Sequence, residues 1–237
     1  MAIALVNCNF PAEAVNEISK HAKVFSMPRA KYLPRPVSEH PDMIAFVGFG
    51  HIVCHKDYYE NNNSLMDSIA SEGNLKLIVS DEKISEKYPH DAIFNACQVG
   101  KFLFCNEKNI SRHILDTASK NGAEIIHVNQ GYTKCSMLIV GDNDIITSDR
   151  GIHTAAQKLE INSLLIGAGS VSLEPYEYGF IGGATGKLGN KIFFCGELEE
   201  HPDRVKIQEF ISSCDKECIF LPFDKLTDMG SILFIQK

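Results

Sequence analysis

The sequence predicts an α/β propeller, five small strand–strand–helix–strand units closed into a ring by the two ends of the chain. Three observations carry this reading. Four segments repeat one pattern: an apolar strand, a Gly-centred turn, a second apolar strand ending in a small residue, and a polar turn that opens a helix. Each helix-like stretch is followed by a third apolar run. The closing strand Gly230-Ser-Ile-Leu-Phe-Ile235 matches Cys135-Ser-Met-Leu-Ile-Val140 but has nothing after it, and the rest of its unit stands at the start of the chain.

Taken in order, residues 2–8 read as a second strand without a first, 12–22 as its helix and 23–27 as its third strand. Residues 1–9 are therefore expected to pair with 230–236, and this closure removes sheet edges that would invite aggregation. Residues 28–41 hold four prolines and read as an extended inter-unit loop. The next unit turns at Gly48 to Gly50, runs through His51-Ile-Val-Cys54, and continues in a helix at 64–70 and a strand at 75–79. The following one turns at Gly100 into Lys101-Phe-Leu-Phe-Cys105, with a helix over 110–118 stopped by Asn121-Gly122 and a strand at 123–128. A third turns at Gly141-Asp142-Asn143 into Asp144-Ile-Ile-Thr147, with a helix over 151–159 and a strand at 161–166. After a second long connection, 167–178, the fourth turns at Gly189-Asn190 into Lys191-Ile-Phe-Phe-Cys195. Its helix is expected over 204–211 and its strand over 217–221.

Composition narrows the functional classes. The 237 residues, 44% apolar and 22% charged, suit one domain over 1–237 with a substantial core. Apolar runs are strand-sized, too short to span a bilayer, and the start lacks the charged and apolar segments of a secretory signal. A cytoplasmic location is the expectation. Lys and Arg total 23 against 30 Asp and Glu, a net charge of −7, which makes nucleic acid an unlikely partner. Eight cysteines form no CxxC pair and are expected to be reduced.

Five such units in a ring resemble the pentein fold, shared by guanidine-modifying enzymes and by translation initiation factor 6. Tyr88-Pro-His-Asp91…Asn95-Ala96, Gln130-Gly-Tyr-Thr-Lys-Cys135-Ser136, Ser148-Asp-Arg-Gly151, Phe180-Ile-Gly-Gly183-Ala-Thr-Gly186 and Thr227-Asp-Met-Gly-Ser231 are similar to a narrower bacterial family of that fold, DUF6873, over residues 42–237. The resemblance implies a fold, with no activity attached. Active members place a nucleophilic Cys in the closing strand, with a central His and carboxylates. Here the closing strand has no Cys and no His adjoins Gly182-Gly183.

Individual residues divide as follows. Cys54, Cys105 and Cys195 recur at one position, taken by Thr147 in the third full unit and by Asn7 or Cys8 in the split one, so they read as packing. Cys135 follows Lys134 at the entrance of a first strand, where a neighbouring ammonium would lower its pKa and make it the nucleophile; Cys97 is a weaker candidate. Successive strand residues point to opposite faces, which argues against Lys134 and Cys135 sharing a surface. Asp91 and Asp228 precede first strands, as turn caps or as a carboxylate pair for a cation. Gly182-Gly183-Ala-Thr-Gly186 allows close backbone approach or a bulge and has no phosphate-loop spacing. His51, Cys54 and His55 lack a complete ligand set, so no metal or cofactor is expected.

The expected site is a central pore with Cys135 catalytic and with Asp91, Asn95, Lys134, Gly183 and Asp228 binding a small guanidino or amino-acid-like ligand. The alternative is a non-catalytic protein that binds a macromolecular partner, as initiation factor 6 does.

Overall fold

The structure, a computed structural model, describes residues 2–236. In chain order it begins with β1 (Ile3–Asn7), α1 (Ala12–Ser19) and β2 (Lys23–Met27). A short helix α2 (Pro41–Ile44) leads into β3 (Ala45–Gly48), β4 (His51–His55), α3 (Lys56–Gly73) and β5 (Lys76–Ser80). Next come β6 (Cys97–Val99), β7 (Phe102–Cys105), α4 (Arg112–Lys120) and β8 (Glu124–His127), then β9 (Met137–Gly141), β10 (Asp144–Thr147), α5 (Arg150–Lys158) and β11 (Asn162–Leu165). The last full unit is β12 (Thr185–Leu188), β13 (Lys191–Phe194), α6 (Arg204–Ser213) and β14 (Glu217–Phe220), and β15 (Leu233–Ile235) ends the chain.

Every unit is a three-stranded sheet of one topology. The first strand pairs antiparallel with the second through a tight turn, and the second pairs parallel with the third after the helical crossover. The split unit obeys the same rule across the termini. Ile3 faces Ile235, Ala4 faces Phe234 and Leu5 faces Leu233, while β1 runs parallel to β2. Second strands lie between two neighbours with both faces covered, so they read as unbroken apolar runs.

Five cores hold the ring, each between adjacent units. Ile114 and Ala118 of α4 pack on Phe46 and Val53 of the preceding unit, and Ile152 and Ala156 of α5 pack on Val99 and Phe104. Ile207 and Ile211 of α6 meet Leu138 and Ile146; Ala14 and Ile18 of α1 meet Phe193 and Cys195; Met66 and Ile69 of α3 meet Leu5 and Ile235. No unit buries its helix alone, so closure is an energetic requirement of the architecture. Cys54, Cys105 and Cys195 are fully buried in these seams, and Thr147 fills the equivalent place by donating to the Ser136 carbonyl at 2.8 Å. Asn7 is the buried residue in the split unit, and Cys8 is exposed.

Two expectations change. The helix foreseen at 64–70 is longer, Lys56–Gly73, with a non-helical residue at Asn62 marking its kink. The proline-rich segment is compact, because Ala30, Leu33 and Val37 are buried in the first core around a 3-10 turn at Arg35–Val37. It thereby carries His40 and Asp42 to the middle of the ring. Among the described residues, no helix is long and apolar enough to cross a membrane.

Candidate functional site

Pseudosymmetry builds the site. Two or three residues before each first strand, one residue per unit reaches the axis: Asp42, Asn95, Cys135, the Gly182-Gly183 pair and Ser231. They form one hydrogen-bonded layer. Asn95 Nδ2 donates to Cys135 Sγ at 3.1 Å and to the Asp42 carbonyl at 3.0 Å, while its Oδ1 accepts from the backbone N–H of Lys134 at 2.7 Å and of Cys135 at 3.2 Å. The Cys135 thiol donates to Asp42 Oδ2 at 3.2 Å. Ser231 Oγ lies 2.6 Å from the same oxygen, 2.9 Å from the Gly182 carbonyl and 3.0 Å from Lys134 Nζ. Backbone bonds Gly183 N to Cys135 O and Ser231 N to Gly183 O tie the layer together.

The layer separates two chambers. One, of about 210 Å³, is a pocket whose walls are Tyr132, Tyr176, Tyr178, Phe180 and Leu173, with His40, Cys135 and Asp228 beneath them. The other, of about 430 Å³, runs along the axis between the first strands and is bordered by Asp42, Lys134, Phe46, Ile139, Lys187 and Phe234.

Asp228 is held from two sides: Phe180 N–H donates to Oδ2 at 2.9 Å and Gly230 N–H to Oδ1 at 3.0 Å. A Cβ at Gly183 would run into its carboxylate, so glycine there makes room for the charge. Burial outweighs both donors and lifts the Asp228 carboxyl to about 6. His40 Nδ1 stands 3.7 Å from Asp228 Oδ1 without a hydrogen bond, and burial lowers its pKa, keeping the ring neutral near pH 7. Burial likewise raises Asp42.

Cys135 departs from the expectation of an activated thiolate. Burial, then the charges of Asp42 and Asp228, push its thiol well above the ordinary value. The Lys134 ammonium, which was expected to lower it, meets Ser231 Oγ instead, and Lys134 and Cys135 both lie in the turn before β9. Cys135 is 4% exposed, close to the packing cysteines, yet it alone of the cysteines borders the aromatic pocket. Cys97, the weaker candidate, is buried in a core with its thiol near 11.

The six expected site residues thus stand in different places. Cys135 and Asp228 border the aromatic pocket, Lys134 borders the axial cavity, and Asn95 and Gly183 lie within the dividing layer. Asp91 borders neither; its Oδ2 accepts from the Tyr132 hydroxyl at 2.8 Å and so orients a wall of the pocket. Asp91 and Asp228 do not form a carboxylate pair. Residues the sequence reading passed over are His40, Asp42, Ser231, Tyr132, Tyr176, Tyr178 and Phe180.

The sequence profile of DUF6873, a family of unknown function, matches residues 5–233. The chain belongs to this family. Solved structures show the same fold at low identity, and it is the pentein fold of guanidine-modifying enzymes. The N-terminal domain of ArgZ bound to product, an arginine dihydrolase from the ornithine–ammonia cycle in cyanobacteria, aligns with a TM-score of 0.60 and 8% identity, over 100% of this chain and 98% of that one. A mutant of DDAH from Pseudomonas aeruginosa complexed with citrulline aligns with a TM-score of 0.55 and 8% identity, over 93% and 91%. Agmatine deiminase of C. jejuni aligns at 0.50 and 12%, over 85% and 70%. No curated protein matches in sequence.

Proposed function

We propose that this DUF6873 member captures a small cation with a guanidinium or ammonium head in the aromatic pocket. One observation carries the reading: a buried carboxylate, Asp228, floors a pocket walled by the rings of Tyr132, Tyr176, Tyr178 and Phe180. Aromatic faces and a carboxylate both attract a flat cation, and desolvation strengthens the pair. Around neutral pH Asp228 is mostly ionised and His40 neutral, so the floor carries negative charge. The neighbouring cleft shares Leu173 and Tyr176 with the pocket and is lined by Glu174, Glu177, Glu197, Glu199 and Glu200, a field that concentrates cations at the entrance. That the solved relatives in fold include proteins named for arginine, agmatine and dimethylarginine chemistry supports the same ligand class.

Isothermal titration with arginine, agmatine and dimethylarginine tests this. Binding is expected to fall roughly five- to thirtyfold in Asp228→Asn and Phe180→Ala, each of which removes an attraction worth roughly 1–2 kcal/mol. If no guanidino compound or amine binds at about 1 mM, the pocket reading fails and docking of a macromolecular partner replaces it.

Modification of the ligand is a second reading, favoured by the 3.2 Å contact between Cys135 Sγ and Asp42 Oδ2. In it the thiol gives its proton to Asp42 and sulfur adds to the guanidinium carbon. The neutral adduct then expels ammonia, which takes that proton back, leaving a thiouronium on Cys135. An intact-mass adduct with agmatine, absent from Cys135→Ser, would establish it. An unmodified mass under conditions that saturate binding would leave capture alone.

A further inference from the structure

The dividing layer has a second face, toward the axial cavity, and the groups there are under-partnered. Asp42 is 1% exposed and borders the cavity, yet its Oδ1 has no hydrogen-bond partner. An unsatisfied buried acceptor is costly and marks a missing donor. Beside it the Lys134 ammonium, with three N–H groups, makes one hydrogen bond, to Ser231 Oγ, and joins no ion pair among the described residues. Ser231 Oγ touches both, at 2.6 Å from Asp42 Oδ2 and 3.0 Å from Lys134 Nζ, so the Asp42 carboxyl group, with one oxygen unpaired, and a set of donors sit side by side at the cavity.

We propose that the axial cavity is a second binding site, for a free α-amino acid with an apolar side chain. Its ammonium donates to Asp42 Oδ1, and its carboxylate accepts from Lys134. The side chain lies along Phe46, Val47, Ile139 and Phe234, which border the same cavity. Charge decides between ligand classes. A simple anion would satisfy Lys134 and leave the Asp42 oxygen unpaired; a simple amine would do the reverse. A zwitterion pairs both at once and adds no net charge to the cavity. The volume of about 430 Å³ leaves ample room for a leucine or phenylalanine. The two cavities share no lining residue, and the Cys135–Asp42 contact is the link between them.

Isothermal titration of the full chain with L-leucine and L-phenylalanine tests it, alongside 4-methylpentanoate and isopentylamine, which each keep half of the leucine head group. The zwitterion is expected to bind with Kd near or below about 1 mM, and each half-compound at least about tenfold more weakly. Lys134→Met should weaken leucine by roughly ten- to a hundredfold, as should Asp42→Asn if it folds. Half-buried Lys134 is the safer change and decides the matter alone. Tyr178→Ala, which trims the aromatic pocket, should leave leucine binding unchanged. Absence of heat with every amino acid, equal affinity for leucine and isopentylamine, or a loss caused by Tyr178→Ala and not by Lys134→Met would each overturn the proposal. Agmatine binding, measured in the same variants, reports on the aromatic pocket separately.

Discussion

Changing Gly183 to Ala is the sharpest probe of how the site is built. The three atoms nearest to a Cβ at this position all belong to the Asp228 carboxyl group, and they are so close that something must move. The backbone conformation there is ordinary, so strain in φ is not the issue. Either Asp228 swings away, losing its bonds to Phe180 N–H and Gly230 N–H, or the layer dilates. Overpacking costs about 1–3 kcal/mol, and a hydrogen bond to a charged group about 1.5–3. A loss of roughly 3 kcal/mol, or about 6–12 °C in Tm for a chain of this size, is expected. The control is a double-mutant cycle. In an Asp228→Ala background the colliding atoms are gone, so Gly183→Ala should cost less than about 1 kcal/mol by chemical denaturation. Gly182→Ala should stay damaging in both backgrounds, because its Cβ would strike the backbone carbonyls of Lys134 and Cys135. Equal costs of Gly183→Ala with and without the Asp228 carboxylate would refute the account.

Three further outcomes follow from the same geometry. The Asp228 carboxyl titrates near 6 when folded and about 4 when unfolded. Its stabilising contribution is therefore full below about pH 4 and is lost as pH rises through 6, a total of about 3 kcal/mol. Melting curves from about pH 4 to 8 should show wild type losing ground against Asp228→Asn across that window, and parallel curves would count against the buried charge. Cys54, Cys105 and Cys195, sealed in the seams, should react with a thiol reagent only as fast as the protein opens, with Cys135 faster because it borders a pocket; mass spectrometry of labelled peptides checks the order. Deleting residues 230–237 removes the partner of β1 together with Ile232, Leu233 and Ile235, so the cooperative transition should vanish; an unchanged Tm would exclude ring closure.

The repeat was legible because Gly-centred turns and apolar second strands recur at matching offsets, and the packing demands on each unit are alike. The same alignment, carried to the positions just before each first strand, would have picked out Asp42, Asn95, Cys135, Gly182-Gly183 and Ser231 together. Asp42 and His40 were hidden because four prolines suggested an extended loop, whereas Ala30, Leu33 and Val37 fold the segment onto a core. Ser231 carries no signal of its own in a closing strand that lacks a cysteine. The aromatic wall carried a weaker signal, Tyr176-Glu-Tyr178-Gly-Phe180, whose alternation has no meaning in a loop until Ser172 and Asp228 are seen to bond each other's segment.

Ring closure also explains why the polar groups gather where they do. Five first strands converge, so the residues preceding them meet at one level, and no apolar set could satisfy the backbone groups exposed at five strand starts. Asn95 shows the solution: its single side chain binds two N–H groups and one carbonyl from neighbouring units. Such a layer is stable only where every member is satisfied. Within it the one side-chain atom without a partner is Asp42 Oδ1; around it His40 Nδ1 at the aromatic pocket, Asp91 Oδ1 behind Tyr132 and Ser136 Oγ next to Cys135 also lack one. An unpaired Asp42 Oδ1 beside an ammonium that joins no ion pair among the described residues, and an unpaired His40 Nδ1 beside the buried Asp228 carboxylate, are unmet polar groups that a ligand on either side of the layer would satisfy.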